Sequence, residues 1–327
     1  MTSIDSAQEI AATRRPLILV EPNKKGKLGQ KKFRQFLRAQ DILESLGWLS
    51  ILWVIFTFLI DGGVQEVTNF QTALGAIERL SALVATDLLL IQTLLISRVP
   101  WLEKIYGHDR ATLTHKRLGK PILYLVIVHF VAVVWSYALA DSKNVVDELF
   151  GMIATIPDLL TATIAFALMI IVVVTSIKIT RSRISYEAWY LVHIFAYGSV
   201  MLAIPHQIKV GTDIAGKPLA EFFWITAYLF VGLNILWFRL LSPIVLSMIH
   251  GLKVSEVVRE SSDATSIYIA GRNLSKFRAK SGQFFILRIL TKKQWWRAHP
   301  FSLSAAPTDK QIRFTIGNRG DDTALLQ

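Results

Sequence analysis

Four histidines stand within or at the ends of long apolar runs. His115 and His129 lie fourteen residues apart in one run, and His193 and His206 lie thirteen apart in another. An ionisable residue inside a membrane is expensive and calls for a functional explanation, and imidazole is a common axial ligand of haem iron. If both runs are helices, each pair is separated by ~20 Å along its axis. On two parallel helices His115 faces His193 at one level and His129 faces His206 at the other. Two such pairs would hold two haems stacked across a bilayer, which makes an electron path. A lone helix histidine more often bonds a nearby carbonyl or polar side chain, and a transporter relaying protons through its histidines would need no haem. Four imidazoles at paired depths favour ligation. One step fits badly: fourteen residues return to within about 40° of the starting face, whereas thirteen end about 140° away. The run with His193 and His206 is therefore expected to bend or overwind. Pro205, which lacks an N–H and crowds the preceding turn, is the expected cause.

The elements that must position these residues are legible in the composition. The chain has 327 residues, 52% of them hydrophobic and 18% charged, with a mean hydropathy of +0.43. An average soluble domain carries roughly 25% charged residues, so this chain is short of charge, and its apolar residues come in blocks, which excludes intrinsic disorder and argues against one ordinary soluble core. The absence of cysteine excludes disulfides, thiolate zinc sites, iron–sulfur clusters and a cysteine nucleophile. Six apolar blocks, 42–60, 73–97, 117–140, 157–177, 186–206 and 221–245, are each long enough for a helix to cross ~30 Å of hydrocarbon. They are continuous and not alternating, which favours helices over a transmembrane barrel. Lys and Arg number nine in the N-terminal arm, six in 97–121 and three in 176–184, against none, one and two in the opposite loops 61–72, 141–157 and 207–220. That asymmetry puts the N-terminus in the cytoplasm of a multi-pass cell-membrane protein. The formal charge of +12 then reads as membrane lipid contact and not as nucleic-acid binding. Residues 1–41 form a flexible basic cytoplasmic arm, 42–250 a six-helix bundle, and the third and fifth spans run in the same direction.

Other polar residues in the spans are few. Arg79, near the outer side of the second span, reads either as a partner for haem propionates or as half of a structural pair with Glu78 or another carboxylate. Asp87 and Gln92 lie deeper and suit an interhelical hydrogen-bond network or a proton path. Arg98, Arg110, Lys116 and Arg117 lie at the inner surface, where one of them would neutralise inner propionates. His108 and His250 read as solvated loop histidines. No catalytic residue is assigned.

From about residue 251 the pattern changes. KVSEVVRESSDATSIYIAG, GQFFILRIL and QIRFTIGN are short β-rich runs separated by Gly, Ser, Asn and Asp, the start of a soluble β-barrel-like domain. The fold class is thus a mainly α membrane protein, a six-transmembrane-helix bundle followed by the beginning of a β-barrel over 251–327.

These segments carry a family resemblance. LTHKRLGKPILYLVIVHF and SYEAWYLVHIFAYGSVMLAIPHQ resemble helices three and five of the ferric reductase and NADPH oxidase superfamily, in which each helix supplies two histidines at this fourteen-and-thirteen spacing. RLSALVATDLLLIQTLLISRVPWLEKIYGHD resembles helix two of bacterial members. His299-Pro300-Phe301-Ser302, following GQFFILRIL, resembles the flavin-binding motif of the ferredoxin-reductase-like barrel, so the resemblance implies that these four residues hold FAD. Asn318-Arg319-Gly320-Asp321-Asp322-Thr323 resembles the second flavin motif, a turn opening a helix whose N-terminus receives the pyrophosphate; Gly320 and Thr323 carry that correspondence best. No G-x-G-x-x-G occurs, so the nicotinamide domain is expected in a missing C-terminal part or on another chain, the first being favoured. The resemblance implies a transmembrane flavohaem oxidoreductase with two haem b groups and FAD. It would pass electrons from NAD(P)H to an external one-electron acceptor, ferric iron or oxygen. The alternative is a non-catalytic, cytochrome b-like electron relay serving a partner protein.

Overall fold

The computed structural model describes residues 24–274, 284–290 and 299–317. Among the described residues ten helices precede five strands: α1 (Lys24–Ile60), α2 (Phe70–Leu95), α3 (Pro100–Tyr106), α4 (His108–Ala140), α5 (Val145–Thr155), α6 (Leu159–Ser176), the single turn α7 (Lys178–Arg181), α8 (Tyr186–Val210), α9 (Pro218–Asn234) and α10 (Ser242–His250), with a π-helical stretch Ile235–Leu241 joining the last two. Five helical segments are long and apolar enough to cross a membrane, and a sixth is reached when α2 and α3, bent 92° apart, count as one span. The chain is a membrane protein of mainly helical fold, followed by a small antiparallel β region.

Three details depart from the expectation. The arm read as flexible is helical from Lys24, continuous with the first span. Its basic residues alternate with Leu28, Phe33, Phe36 and Leu37, and no Pro or β-branched run interrupts them. The loops expected at 97–121 and 141–157 contain α3 and α5. Pro100 starts the first of these at a position that needs no N–H donor. Asn144 caps the second by accepting the Val146 N–H at 2.8 Å.

Within the helical unit α2 and α4 pack antiparallel along a polar ladder. Gln71 and Ser136 meet through the Ser136 hydroxyl on the Gln71 carbonyl, 3.1 Å. Seven residues on, Glu78 meets His129; fourteen further, Gln92 meets His115. Each step along one helix is matched by an equal step back along the other, so the contacts keep a heptad register that holds one face of α4 against α2. Small residues let the backbones approach: a Cβ on Gly119 would lie 3.3 Å from Gln92 Nε2 and one on Gly75 3.7 Å from Ser136 Oγ. α6 and α8 pair similarly, the buried Ser199 hydroxyl donating to the Ala165 carbonyl at 2.7 Å. Gln40 in α1 ties two further helices, donating to the Ile105 carbonyl (2.8 Å) and accepting from Arg110 (3.0 Å).

The β unit has a three-stranded antiparallel sheet in the order β1 (Lys253–Arg259), β2 (Ala264–Ala270), β5 (Gln311–Gly317) and a hairpin-like pair of β3 (Phe284–Leu287) with β4 (His299–Ser302). Ile312, Phe314 and Ile316 alternate inward from β5 and join Ile267, Ile269, Leu274 and Leu303 in one core, as the two-residue period of a strand requires. His250 is a correction to the solvated-loop reading. It is buried, its Nδ1 donates to the Arg272 carbonyl at 2.9 Å, and its own carbonyl accepts the Arg272 N–H. It joins the end of α10 to the turn after β2. His108 begins α4 and lies 3.4 Å from Glu103, half-buried.

Candidate functional site

The site is built on α2, α4, α6 and α8. His115 and His129 both turn Nδ1 toward α2. Nδ1 of His115 donates to the Gln92 carbonyl at 3.0 Å, and the Gln92 side-chain amide returns a bond to the His115 carbonyl at 2.9 Å. Nδ1 of His129 lies 3.1 Å from the Glu78 carbonyl and 3.2 Å from its carboxylate. With the proton on Nδ1, the lone pair of each ring sits on Nε2, the tautomer of a metal-ligating imidazole whose other nitrogen is anchored by a carbonyl or carboxylate.

On the facing side, His193 stacks on Trp189 (4.8 Å between ring centres, 28° between planes), and its Nδ1 lies 3.3 Å from the Ser176 hydroxyl. Arg181 covers the other end of that aromatic cluster, 5.0 Å from the Trp189 ring centre. The His115 and His193 rings are 6.1 Å apart. Two imidazoles that bond one metal from opposite sides at about 2.0–2.1 Å each hold their ring centres roughly 6 Å apart. That spacing fits a metal held between the two rings.

His129 and His206 line a single cavity of about 230 Å³ between the helices. Its walls are mostly apolar, with Phe130, Phe166 and Met169 among them, and Glu78, Arg79 and Tyr228 add polar groups. α8 stays helical through Pro205, and the His206 side chain faces this cavity. His206 Nδ1 is buried and makes no hydrogen bond with the described residues. No group of three or more His, Asp or Glu comes together as a metal site among the described residues. Each pair alone would leave most coordination positions of an ion unfilled. A macrocycle that brings its own nitrogens would suit a two-imidazole set such as His115 and His193.

Arg79 makes ion pairs, with partners other than Glu78. Its Nε and Nη2 donate to the two carboxylate oxygens of Asp213 (2.9 and 2.5 Å), its Nη1 to Glu66 (2.8 Å), and its guanidinium lies 5.4 Å from the Phe58 ring centre. Asp87 is buried in α2 and accepts the Ser50 hydroxyl at 2.6 Å. Arg98 pairs with Glu103 at 3.0 Å, while Lys116 and Arg117 are exposed.

In the β unit, β4 alternates. His299 and Phe301 turn to one side, their rings 5.9 Å apart and nearly parallel, and Phe301 packs on the core. Pro300 and Ser302 are exposed on the other side, opposite Ile286 and Phe284 in the register of β3 and also exposed. His299 Nε2 is buried without a hydrogen bond to the described residues. An exposed hydroxyl beside an apolar strand face suits the edge and face of a flat heteroaromatic ring. Gly320 and Thr323 lie outside the described residues.

In the sequence Glu78 stands out only as a neighbour of Arg79, and local pattern does not show its contact with His129. The signal is the shared interval: Gln71, Glu78 and Gln92 fall on heptad positions of α2, as Ser136, His129 and His115 do on α4.

Residues 81–204 match the family described as the ferric reductase like transmembrane component. Residues 250–327 match an FAD-binding domain. No curated protein matches the chain.

Proposed function

The chain belongs to the ferric reductase and NADPH oxidase superfamily, and from that premise we propose that this transmembrane, flavin-dependent oxidoreductase holds two haem b groups and reduces an external one-electron acceptor, ferric iron or oxygen. In this reading His115 and His193 ligate the inner haem and His129 and His206 the outer one. His299, Pro300, Phe301 and Ser302 hold the flavin ring, and Gly320 and Thr323 its pyrophosphate. A flavin held there would supply the change from two-electron to one-electron chemistry, and haems held by the histidines would supply one-electron carriers across the bilayer. The nicotinamide domain would lie outside residues 1–327, on this or another chain. The positive-inside asymmetry supports a cytoplasmic N-terminus and flavin domain in the cell membrane.

One observation carries the reading: two histidines on one face of α4 both commit Nδ1 to α2 and so present Nε2, each toward a histidine of α8 or a cavity shared with one. The chain's own residues do four things. Gln92 and Glu78 fix the tautomer and plane of the α4 rings. Trp189 and Ser176 fix His193. The apolar cavity wall excludes water, and the Arg79–Asp213 pair closes one part of its rim. The proposed ligand sets have all coordination positions filled, so an acceptor would be reduced at a haem edge.

The test is a dithionite-reduced difference spectrum of the purified protein and of its four single histidine-to-alanine variants. Two haems per chain are expected in the wild type and one in each variant. Two haems retained in every variant would refute the ligand assignment, and a colourless, haem-replete preparation would refute the haem reading altogether. FAD at one per chain would count against a flavin-free relay.

A further inference from the structure

Both histidines of α4 turn Nδ1 to α2. His115 Nδ1 donates to the Gln92 carbonyl, and the Gln92 side chain is turned to the His115 carbonyl. His129 Nδ1 meets a carbonyl and, at 3.2 Å, the carboxylate of Glu78. That carboxylate is largely buried, 16% exposed. The adjacent cation does not neutralise it: Arg79 is committed to Asp213 and Glu66. Among the described residues His129 is the one ion-pair partner that Glu78 has. The Glu78 carbonyl is held in place by the Ser81 hydroxyl, 3.0 Å away, which fixes the main chain from which the carboxylate reaches the ring.

We propose that Glu78 is a positioning residue that sets the electron affinity of the outer site, its carboxylate drawing the His129 Nδ1 proton and so making His129 a more electron-rich ligand. This rests on the ligand assignment proposed above. A carboxylate behind a ligating imidazole raises the basicity of the ligand, and a more basic ligand favours the oxidised metal, which carries the greater positive charge. The acid is costly in a membrane interior, and a tuning role accounts for its place directly behind a histidine. One side chain thereby lowers the electron affinity of the outer site.

The experiment is a spectroelectrochemical titration of the haem-loaded protein at one pH and fixed ionic strength, with Glu78→Gln, Glu78→Asp and Glu66→Gln. Glu78→Gln keeps size and an acceptor but removes the charge. The midpoint of one haem should rise by about 59 mV, a tenfold change in its reduced-to-oxidised ratio at fixed potential, with the other haem unmoved. Glu78→Asp keeps the charge but withdraws it from the ring, and should move the same haem in the same direction by less. Glu66→Gln removes a carboxylate that contacts Arg79 and not His129, and should move neither. The ferric low-spin resonance of the shifted haem should change in Glu78→Gln alone among the glutamine variants. Two haems with wild-type midpoints in Glu78→Gln would overturn the proposal while leaving the ligand assignment standing. Equal shifts in Glu66→Gln would also overturn it, as would loss of a haem from both Glu78 variants, which would make the residue an anchor. Haem absent from the wild type would remove the ligand assignment and this proposal together.

Discussion

Substitution of Asp213 by alanine tests whether the helical unit depends on a long-range ion pair. Asp213 lies after α8 and Arg79 in α2, and their side chains are 6% and 10% exposed. The contact is bidentate, through Nε at 2.9 Å and Nη2 at 2.5 Å. Removing one partner of a buried pair leaves an uncompensated charge and costs about 3–5 kcal/mol. Glu66 remains on Nη1, but it is 65% exposed, and an exposed partner contributes only ~0–1 kcal/mol. The loss should therefore fall near the lower end, about 3 kcal/mol. At roughly 2–4 °C per kcal/mol for a domain of 150–250 residues, the melting midpoint should drop by roughly 6–12 °C. Replacing both partners, Arg79→Met with Asp213→Leu, removes the stranded charge and should recover most of the loss, because a buried pair exchanged for apolar residues of similar volume is often neutral. The assay is a thermal melt in detergent at constant ionic strength, followed by tryptophan fluorescence. The reasoning fails if Asp213→Ala melts with the wild type, or if the double variant melts as low as the single one.

Two further outcomes follow from the structure. Phe314→Ala empties the centre of the β core, where Phe314 is 4% exposed and contacts Phe285 edge-on at 6.4 Å between ring centres; a loss of about 3–5 kcal/mol should lower FAD occupancy of the purified protein while haem content is unchanged, and unchanged flavin content would contradict it. Lys143, in the loop after α4, accepts a raised pKa from its bond to Asp141 (2.7 Å) and then from Glu148 (3.1 Å). A lysine whose folded pKa is raised contributes stability fully present below its ordinary value of 10.5 and lost as pH rises through the folded value. Differential amine labelling should thus find Lys143 protected above pH 10.5 relative to its reactivity in Asp141→Asn, and equal labelling in the two proteins would count against the pairing.

The parts of the fold that depend on local pattern were legible. Six apolar blocks correspond to spans because continuous hydrophobicity over about twenty residues has few other uses, and the inward alternation of Ile312, Phe314 and Ile316 is readable as a strand. Features made by distant segments were not legible. Arg79 finds Asp213 across 134 residues, and no local rule selects that carboxylate over Glu78 beside it. A helix side chain at Glu78 points one position around the axis from Arg79, so adjacency in sequence works against contact. His250 reads as a loop residue because it follows the last apolar run; the Arg272 carbonyl that buries it arrives only when β1 and β2 fold back. α5 was hidden because it is too short to span a membrane, although Asn144 with Asp147 and Glu148 in the first turn is an ordinary helix start.

The heptad ladder explains a mismatch that spacing alone left open. On an ideal helix a fourteen-residue step drifts by about 40°, yet both α4 histidines meet an α2 carbonyl through Nδ1. The drift is absorbed because the partner helix is antiparallel and its polar positions repeat at the same interval, with the buried Ala85 and Ile122 at the intervening heptad positions. Both helices can underwind together, as paired helices with a seven-residue repeat do. α8 has no such ladder: Ser176 serves His193, Ser199 bonds the Ala165 carbonyl instead of a ring, and His206 Nδ1 meets no partner among the described residues. Three of the four rings are therefore set by hydrogen bonds through Nδ1, and the fourth is not. In the proposed ligand assignment, an outer site assembled from a fixed ring and a less constrained one would tolerate the thirteen-residue step. Two fixed rings at that spacing would not.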